Sequence, residues 1–216
     1  MPNTIYLHGF LGSREDFASF PGPAINLPGH GGVPLPEVVS FDSICEYLAG
    51  KISRCTLVGY SLGGRIALHF AKKYPERVEK LILISAHPGL RDENEKKKRF
   101  EIDQKWAQLL REKPLEEFLK KWYDQPLFAT LNIEEMIHRR KNQNPKDLEK
   151  ILLNLSLAKQ ESFWDRIDSS TMIAGEKDEK FAALYRSIPG HILLPCGHAP
   201  HLECPNLLRD VICGKK

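Results

Sequence analysis

Gly59-Tyr60-Ser61-Leu62-Gly63 is the segment whose residue types and spacing lend themselves most directly to chemistry. It follows the apolar run 55–59 (CTLVG) and precedes an amphipathic segment, 62–73. A G-x-S-x-G between strand and helix is a sharp turn that lifts the serine above the sheet edge. Glycine two residues before and two after Ser61 removes the side chains that would clash in so tight a bend. The helix N-terminus behind the serine favours negative charge developing there. A serine hydroxyl is a poor base or nucleophile alone, so a histidine must take its proton.

Of the eight histidines, His198 is the best placed, in Cys196-Gly197-His198 directly after the apolar run 191–195 (HILLP). His201, three residues on, is its rival. His198, His201 and Glu203 do not have the spacing of a zinc site, and no metal is expected. The histidine needs a carboxylate to fix its tautomer and stabilise its cation. Asp178 follows the run 171–175 (TMIAG), with Glu176 as the competing acid. The chain order is then Ser…Asp…His, as in the α/β-hydrolase fold. The first apolar run ends in His8-Gly9-Phe10-Leu11-Gly12, a glycine-rich turn that frees backbone amides. The backbone N–H groups of Phe10 and Leu62 are the expected oxyanion-hole donors.

These residues have to be held by a scaffold. Short apolar runs bounded by Gly, Pro or Ser recur at 4–8, 24–27, 55–59, 80–85, 171–175 and 191–195. Such runs are strands of a buried parallel sheet. Helical patterns at 41–49, 62–73, 179–187 and 205–211 alternate with them. The expected fold is an α/β-hydrolase fold, a mostly parallel, doubly wound sheet. Residues 88–166 interrupt the alternation with charged, helical sequence and no convincing strand. They read as a helical lid between two parts of the core, 1–87 and 167–216. The run 91–99 (RDENEKKKR) reads as a solvated helix face.

The chain has 216 residues, enough for one α/β domain with an insertion. Its net charge of +3 is too small to imply nucleic acid. No apolar run approaches the ~20 residues that span a bilayer, so no membrane partner is expected. Five cysteines without C-x-x-C spacing suggest neither a disulfide framework nor a zinc ribbon. With no basic, cleavable leader after Met1, a cytoplasmic location is expected. The oligomeric state stays open between a monomer and a weak homo-oligomer.

Cations and aromatics near the serine point to the substrate. Arg65 lies one helical turn beyond Ser61, where its planar fork would suit a carboxylate. An outward-leaning surface arginine is the other reading. The segments 122–128 (WYDQPLF) and 139–144 (RRKNQN) concentrate aromatics and donors. With Arg65 and Arg99 they could form a dry, positive chamber for a polyanion.

The stretches LHGFLGSREDF (7–17), LPGHG (27–31), GYSLGGRIAL (59–68), ISAHPGLR (84–91), WYDQPLF (122–128), RKNQN (140–144), LSLAKQ (155–160), GEKDEKF (175–181) and GHAPHLECP (197–205) carry a closer resemblance. The chain resembles the 2-succinyl-6-hydroxy-2,4-cyclohexadiene-1-carboxylate synthases of menaquinone biosynthesis. The resemblance implies a lyase reaction without a cofactor, in which the triad acts as a base and pyruvate is eliminated. It implies a small-molecule tricarboxylate substrate. Arg65, Arg99 and Arg140 would bind carboxylates, Trp122 would line the pocket and Tyr60 would stand beside the serine. Arg91 competes with Arg99, and Arg139 with Arg140. The other reading is an esterase or thioesterase acting on a small acidic acyl substrate.

Overall fold

The computed structural model describes residues 3–215. Six strands form one sheet in the order β2-β1-β3-β4-β5-β6. They are β1 (Thr4–Leu7), β2 (Ala24–Ile25), β3 (Cys55–Tyr60), β4 (Val78–Ile84), β5 (Ser170–Gly175) and β6 (Ile192–Leu194). Every pairing described is parallel. Alternate residues along the strands feed two separate cores, as the two-residue period of a strand requires. Leu7, Leu57, Leu83 and Met172 enter one core with α1 (Phe41–Ala49) and α2 (Leu62–Lys73). Tyr6, Val58, Ile82 and Ile173 enter the other with Phe17, Leu208 and Ile212. Both faces are covered, which is why the central strands read as continuous apolar runs.

The strand bounds differ from expectation by one or two residues at an end, and at three strands a local reason is visible. β4 begins at Val78 rather than residue 80, and its first turns carry the exposed Glu79 and Lys80. An apolar criterion cannot find a solvent-facing strand end. β2 stops at Ile25 because the Leu27 N–H donates to His8 Nε2 instead of a strand partner. β6 loses His191, whose ring is hydrogen-bonded to the Ile188 carbonyl, and Pro195, which has no N–H to give.

Between β4 and β5 the chain forms α3 (Glu93–Glu112), α4 (Leu115–Tyr123), α5 (Ile133–Arg140) and α6 (Pro145–Asn154). They bury their own apolar cluster around Leu110, Phe118, Leu119, Met136 and Leu148. Leu11, from the loop after β1, completes it. The charged run 91–99 forms the start of α3, capped by Asp92 accepting from the Glu95 N–H at 2.8 Å, and most of it is exposed. After β5 come α7 (Glu179–Arg186), α8 (Pro200–Glu203) and α9 (Pro205–Ile212). No helix among the described residues is long and apolar enough to cross a membrane.

Candidate active site

Ser61 sits at the junction of β3 and α2 with φ +49° and ψ −111°. A non-glycine residue there is strained and persists only where its surroundings enforce it. The Ser61 N–H donates to the Ile84 carbonyl at 2.9 Å, anchoring the bend to β4. A Cβ on Gly59 would lie 2.5 Å from the Gly63 carbonyl oxygen, and one on Gly63 2.4 Å from that of Leu7. Only glycine permits the bend to close this tightly.

Asp178 and His198 meet across the ends of β5 and β6. His198 Nδ1 donates to Asp178 Oδ2 at 2.6 Å, with both side chains almost fully buried. The other carboxylate oxygen, Oδ1, accepts from the Phe181 N–H at 3.1 Å and caps α7. With the proton held on Nδ1, the Nε2 of His198 is left as the basic nitrogen. The two loops touch closely. A Cβ on Gly175 would fall 2.0 Å from the Gly197 carbonyl oxygen. The Lys177 N–H donates to the Cys196 carbonyl at 3.0 Å. Glu203 completes the support: its carboxylate accepts from the Gly197 N–H at 2.7 Å and the Ala199 N–H at 2.9 Å, the amides on either side of His198. Sequence reasoning assigned Glu203 no such part.

Of the competing residues, Glu176 is exposed. His201 is buried against Tyr60 and Phe17, and neither ring nitrogen has a partner among the described residues. Burial drops its pKa to about 3, so the ring is neutral.

Ser61, Leu62 and His198 line one cavity of about 300 Å³. The backbone N–H groups of Phe10 and Leu62 donate to no other described residue. Leu62 is the first residue of α2, where an amide has no partner within the helix. The loop bearing Phe10 is braced by His8, which donates from Nδ1 to the Gly9 carbonyl at 2.8 Å. On its other side His8 Nε2 accepts from Leu27. Burial lowers the His8 pKa to about 4, so the ring stays neutral and can make both bonds.

The cavity is cationic. Arg65 lines it, half-buried, with Nη1 donating to the Leu155 carbonyl at 2.8 Å and the guanidinium 5.7 Å from the Phe41 ring centroid. No carboxylate among the described residues pairs with it. Burial, and then the Arg99 charge, bring its pKa down to about 9, which still leaves a cation at neutral pH. A half-buried charge without a counter-ion is costly, and an incoming anion offsets that cost. Arg99 also lines the cavity, its Nε 2.9 Å from Asp103 Oδ1, while Asp103 Oδ2 accepts from Ser156 at 2.7 Å. Arg91 is on the surface, paired with Asp165. Trp122 lines the cavity too, stacked on Phe118 with centroids 5.6 Å apart and edge-on to Phe10 at 5.1 Å.

Arg140 does not take the position expected of it. It is 4% exposed, its Nη2 lies 2.8 Å from Asp16 Oδ2, and it is absent from the lining of the cavity that contains His198. The carboxylate expected from a substrate is supplied instead by the protein, 124 residues away in sequence. Arg139 shares the arrangement, with Nη2 3.0 Å from Asp16 Oδ1. Arg140 lines a separate recess of about 40 Å³, together with Tyr60 and Ser61.

Among the cavity-lining residues given no role from sequence are three polar ones, Ser85, His87 and Lys180. His87 Nδ1 accepts from the Gly89 N–H at 3.0 Å, which puts its proton on Nε2. Burial and the nearby Lys180, Arg65 and Arg99 charges hold its pKa near 4, so it is a neutral donor. Lys180 is lowered by burial and by Arg99. The Ser85 hydroxyl is buried without a partner among the described residues. His87 and Lys180 lie within stretches singled out in the sequence, but nothing in their spacing marks them as cavity groups.

The profile of the alpha/beta hydrolase family matches residues 5–211. A 2-succinyl-6-hydroxy-2,4-cyclohexadiene-1-carboxylate synthase from Enterobacter sp. (strain 638) is 36% identical, the match covering 94% of this chain and 87% of that protein. A synthase of the same name from Escherichia coli O1:K1 / APEC is 34% identical over 95% of this chain and 90% of its own. The chain belongs to the alpha/beta hydrolase family, among the 2-succinyl-6-hydroxy-2,4-cyclohexadiene-1-carboxylate synthases. The solved structure of MenH from S. aureus superposes with a TM-score of 0.87 at 27% identity, covering 98% of this chain and 91% of that one.

Proposed function

We propose that the chain is a carbon–oxygen lyase of menaquinone biosynthesis. It eliminates pyruvate from 2-succinyl-5-enolpyruvyl-6-hydroxy-3-cyclohexene-1-carboxylate to give 2-succinyl-6-hydroxy-2,4-cyclohexadiene-1-carboxylate. The observation that carries this reading is the unpaired Arg65 guanidinium in the cavity shared by Ser61 and His198. A substrate with three carboxylates supplies its counter-ion, and Arg99 and Lys180 line the same space. Trp122 gives the ring an apolar wall.

In this reading His198 takes the Ser61 proton, and Ser61 removes the ring proton next to the succinyl ketone. The enolate oxygen accepts from the Phe10 and Leu62 amides, each donor contributing about 3–4 kcal/mol to the transition state. Electrons then move through the ring double bond, and the ring carbon–oxygen bond breaks. Enolpyruvate leaves and tautomerises to pyruvate. No acyl-serine forms. The helices between β4 and β5 act as a lid, within boundaries near residues 88 and 166. Five free cysteines support a cytoplasmic location.

The test is pyruvate release from the enolpyruvyl-cyclohexene substrate, coupled to lactate dehydrogenase, beside p-nitrophenyl acetate cleavage. Fast pyruvate release with negligible ester cleavage is expected. Brisk ester cleavage without pyruvate would make the chain a hydrolase and overturn the proposal.

A further inference from the structure

The loop that carries His198 has a sulfur atom at each end. Cys196 follows β6 and Cys204 joins α8 to α9, and their Sγ atoms lie 2.8 Å apart. Between them Glu203 already gathers the Gly197 and Ala199 amides, so the two ends of the loop are held face to face. A disulfide bond is about 2.0 Å long, so closure needs a movement of less than about 1 Å by two side chains. Cys196 is buried, whereas Cys204 is partly exposed and open to attack from solvent. The contact with Cys196 also lowers the Cys204 thiol's pKa, favouring its thiolate. Cys45 and Cys55 are buried elsewhere in the sheet-side core, and Cys213 is exposed.

We propose that Cys196 and Cys204 are a site of reversible oxidation, where a peroxide joins the two thiols in a disulfide that staples the His198 loop. The Cys204 thiolate attacks one peroxide oxygen and the O–O bond breaks, leaving a sulfenic acid and releasing water once the departing oxygen is protonated. The Cys196 sulfur then attacks the sulfenic sulfur, the S–O bond breaks and a second water leaves. Two thiols and one hydrogen peroxide thus become one disulfide and two waters. A dithiol reductant reverses the change by exchange. The nine-residue span is closed around a conformation that already exists, so the staple restricts the unfolded chain more than the folded one.

The tryptic peptide 187–209 contains both cysteines and no other, which makes the test direct. The full chain is treated with a few equivalents of hydrogen peroxide, its remaining thiols are blocked with N-ethylmaleimide, and it is digested. The expected peptide is lighter by two hydrogens and carries no label, and dithiothreitol beforehand restores two labels. The oxidised protein should melt about 5 °C higher, and amides 197–203 should exchange hydrogen more slowly. Cys204→Ser should abolish both effects. A peptide that takes two labels after Cys213 has been oxidised would overturn the proposal. So would a peptide that only gains oxygen, or a disulfide that lowers the melting temperature. The wild-type mass measurement decides the chemistry even if the variant does not fold.

Discussion

Asp178 divides its two oxygens between a helix and a ring: one caps α7 and the other holds His198. Asp178→Asn separates the two jobs. Asparagine is as good a cap, so the melting temperature should move by no more than about 3 °C. It no longer imposes the Nδ1–H tautomer, and kcat should fall by about four orders of magnitude. Ser61→Ala should remove pyruvate release to a similar extent while circular dichroism stays unchanged; near-normal turnover would exclude Ser61 as the base. Arg65→Ala should act mainly on binding, by about 2–5 kcal/mol. In steady-state kinetics that is a KM rise of at least about thirty-fold with kcat little altered. An unchanged KM would mean that Arg65 does not meet the substrate. The sequence made Ser61, His198 and Asp178 legible because each follows an apolar run ending at one sheet edge. It could not reveal the partner of Arg140. Asp16 is far away along the chain, and an arginine bound by the protein reads the same as one waiting for a ligand. Cys196 and Cys204 were hidden likewise, since their spacing matches no common motif.

At the scale of elements, Asp16 ties the loop after β1 to the end of α5 through Arg139 and Arg140. Burial resists its charge, but Arg140 first, then His201 and Arg139, draw its pKa down to about 2 from the usual 3.8. Tyr123, hydrogen-bonded to Arg140, stays protonated because burial raises its pKa. The folded value of Asp16 lies below the unfolded one. Its contribution of about 2 kcal/mol is therefore complete above about pH 4 and is lost as pH falls toward 2. Melting temperatures measured between those limits should fall steeply for the wild type and more gently for Asp16→Asn. Equal slopes would mean that another carboxylate governs acid unfolding. The sheet was readable because each of its strands overlaps an apolar run, and only strand ends were misplaced. The individual helices between β4 and β5 were not separable, because α3 begins as a polar helix whose inner face shows only after residue 99.

Across the whole molecule, the apolar cluster of the inserted helices is continuous with the site through aromatic contacts. Phe118 is fully buried and stacks on Trp122, which lines the cavity. Phe118→Ala should cost about 3–5 kcal/mol of stability. Because Trp122 loses its support, KM should rise in the same variant, although residue 118 touches no substrate. A stability loss with KM unchanged would show that the cluster and the cavity wall are independent. The two sets of site residues are also far apart in chain order. Ser61 belongs to a bend made by β3, α2 and β4, whereas His198, Asp178 and the Glu203 clamp all belong to the segment after β5. A chain leaving the ribosome is made from its N-terminus, and a domain folds as a unit. The nascent protein therefore carries Ser61 before its base has been made, and the site is assembled only when β5 and β6 join the sheet edge.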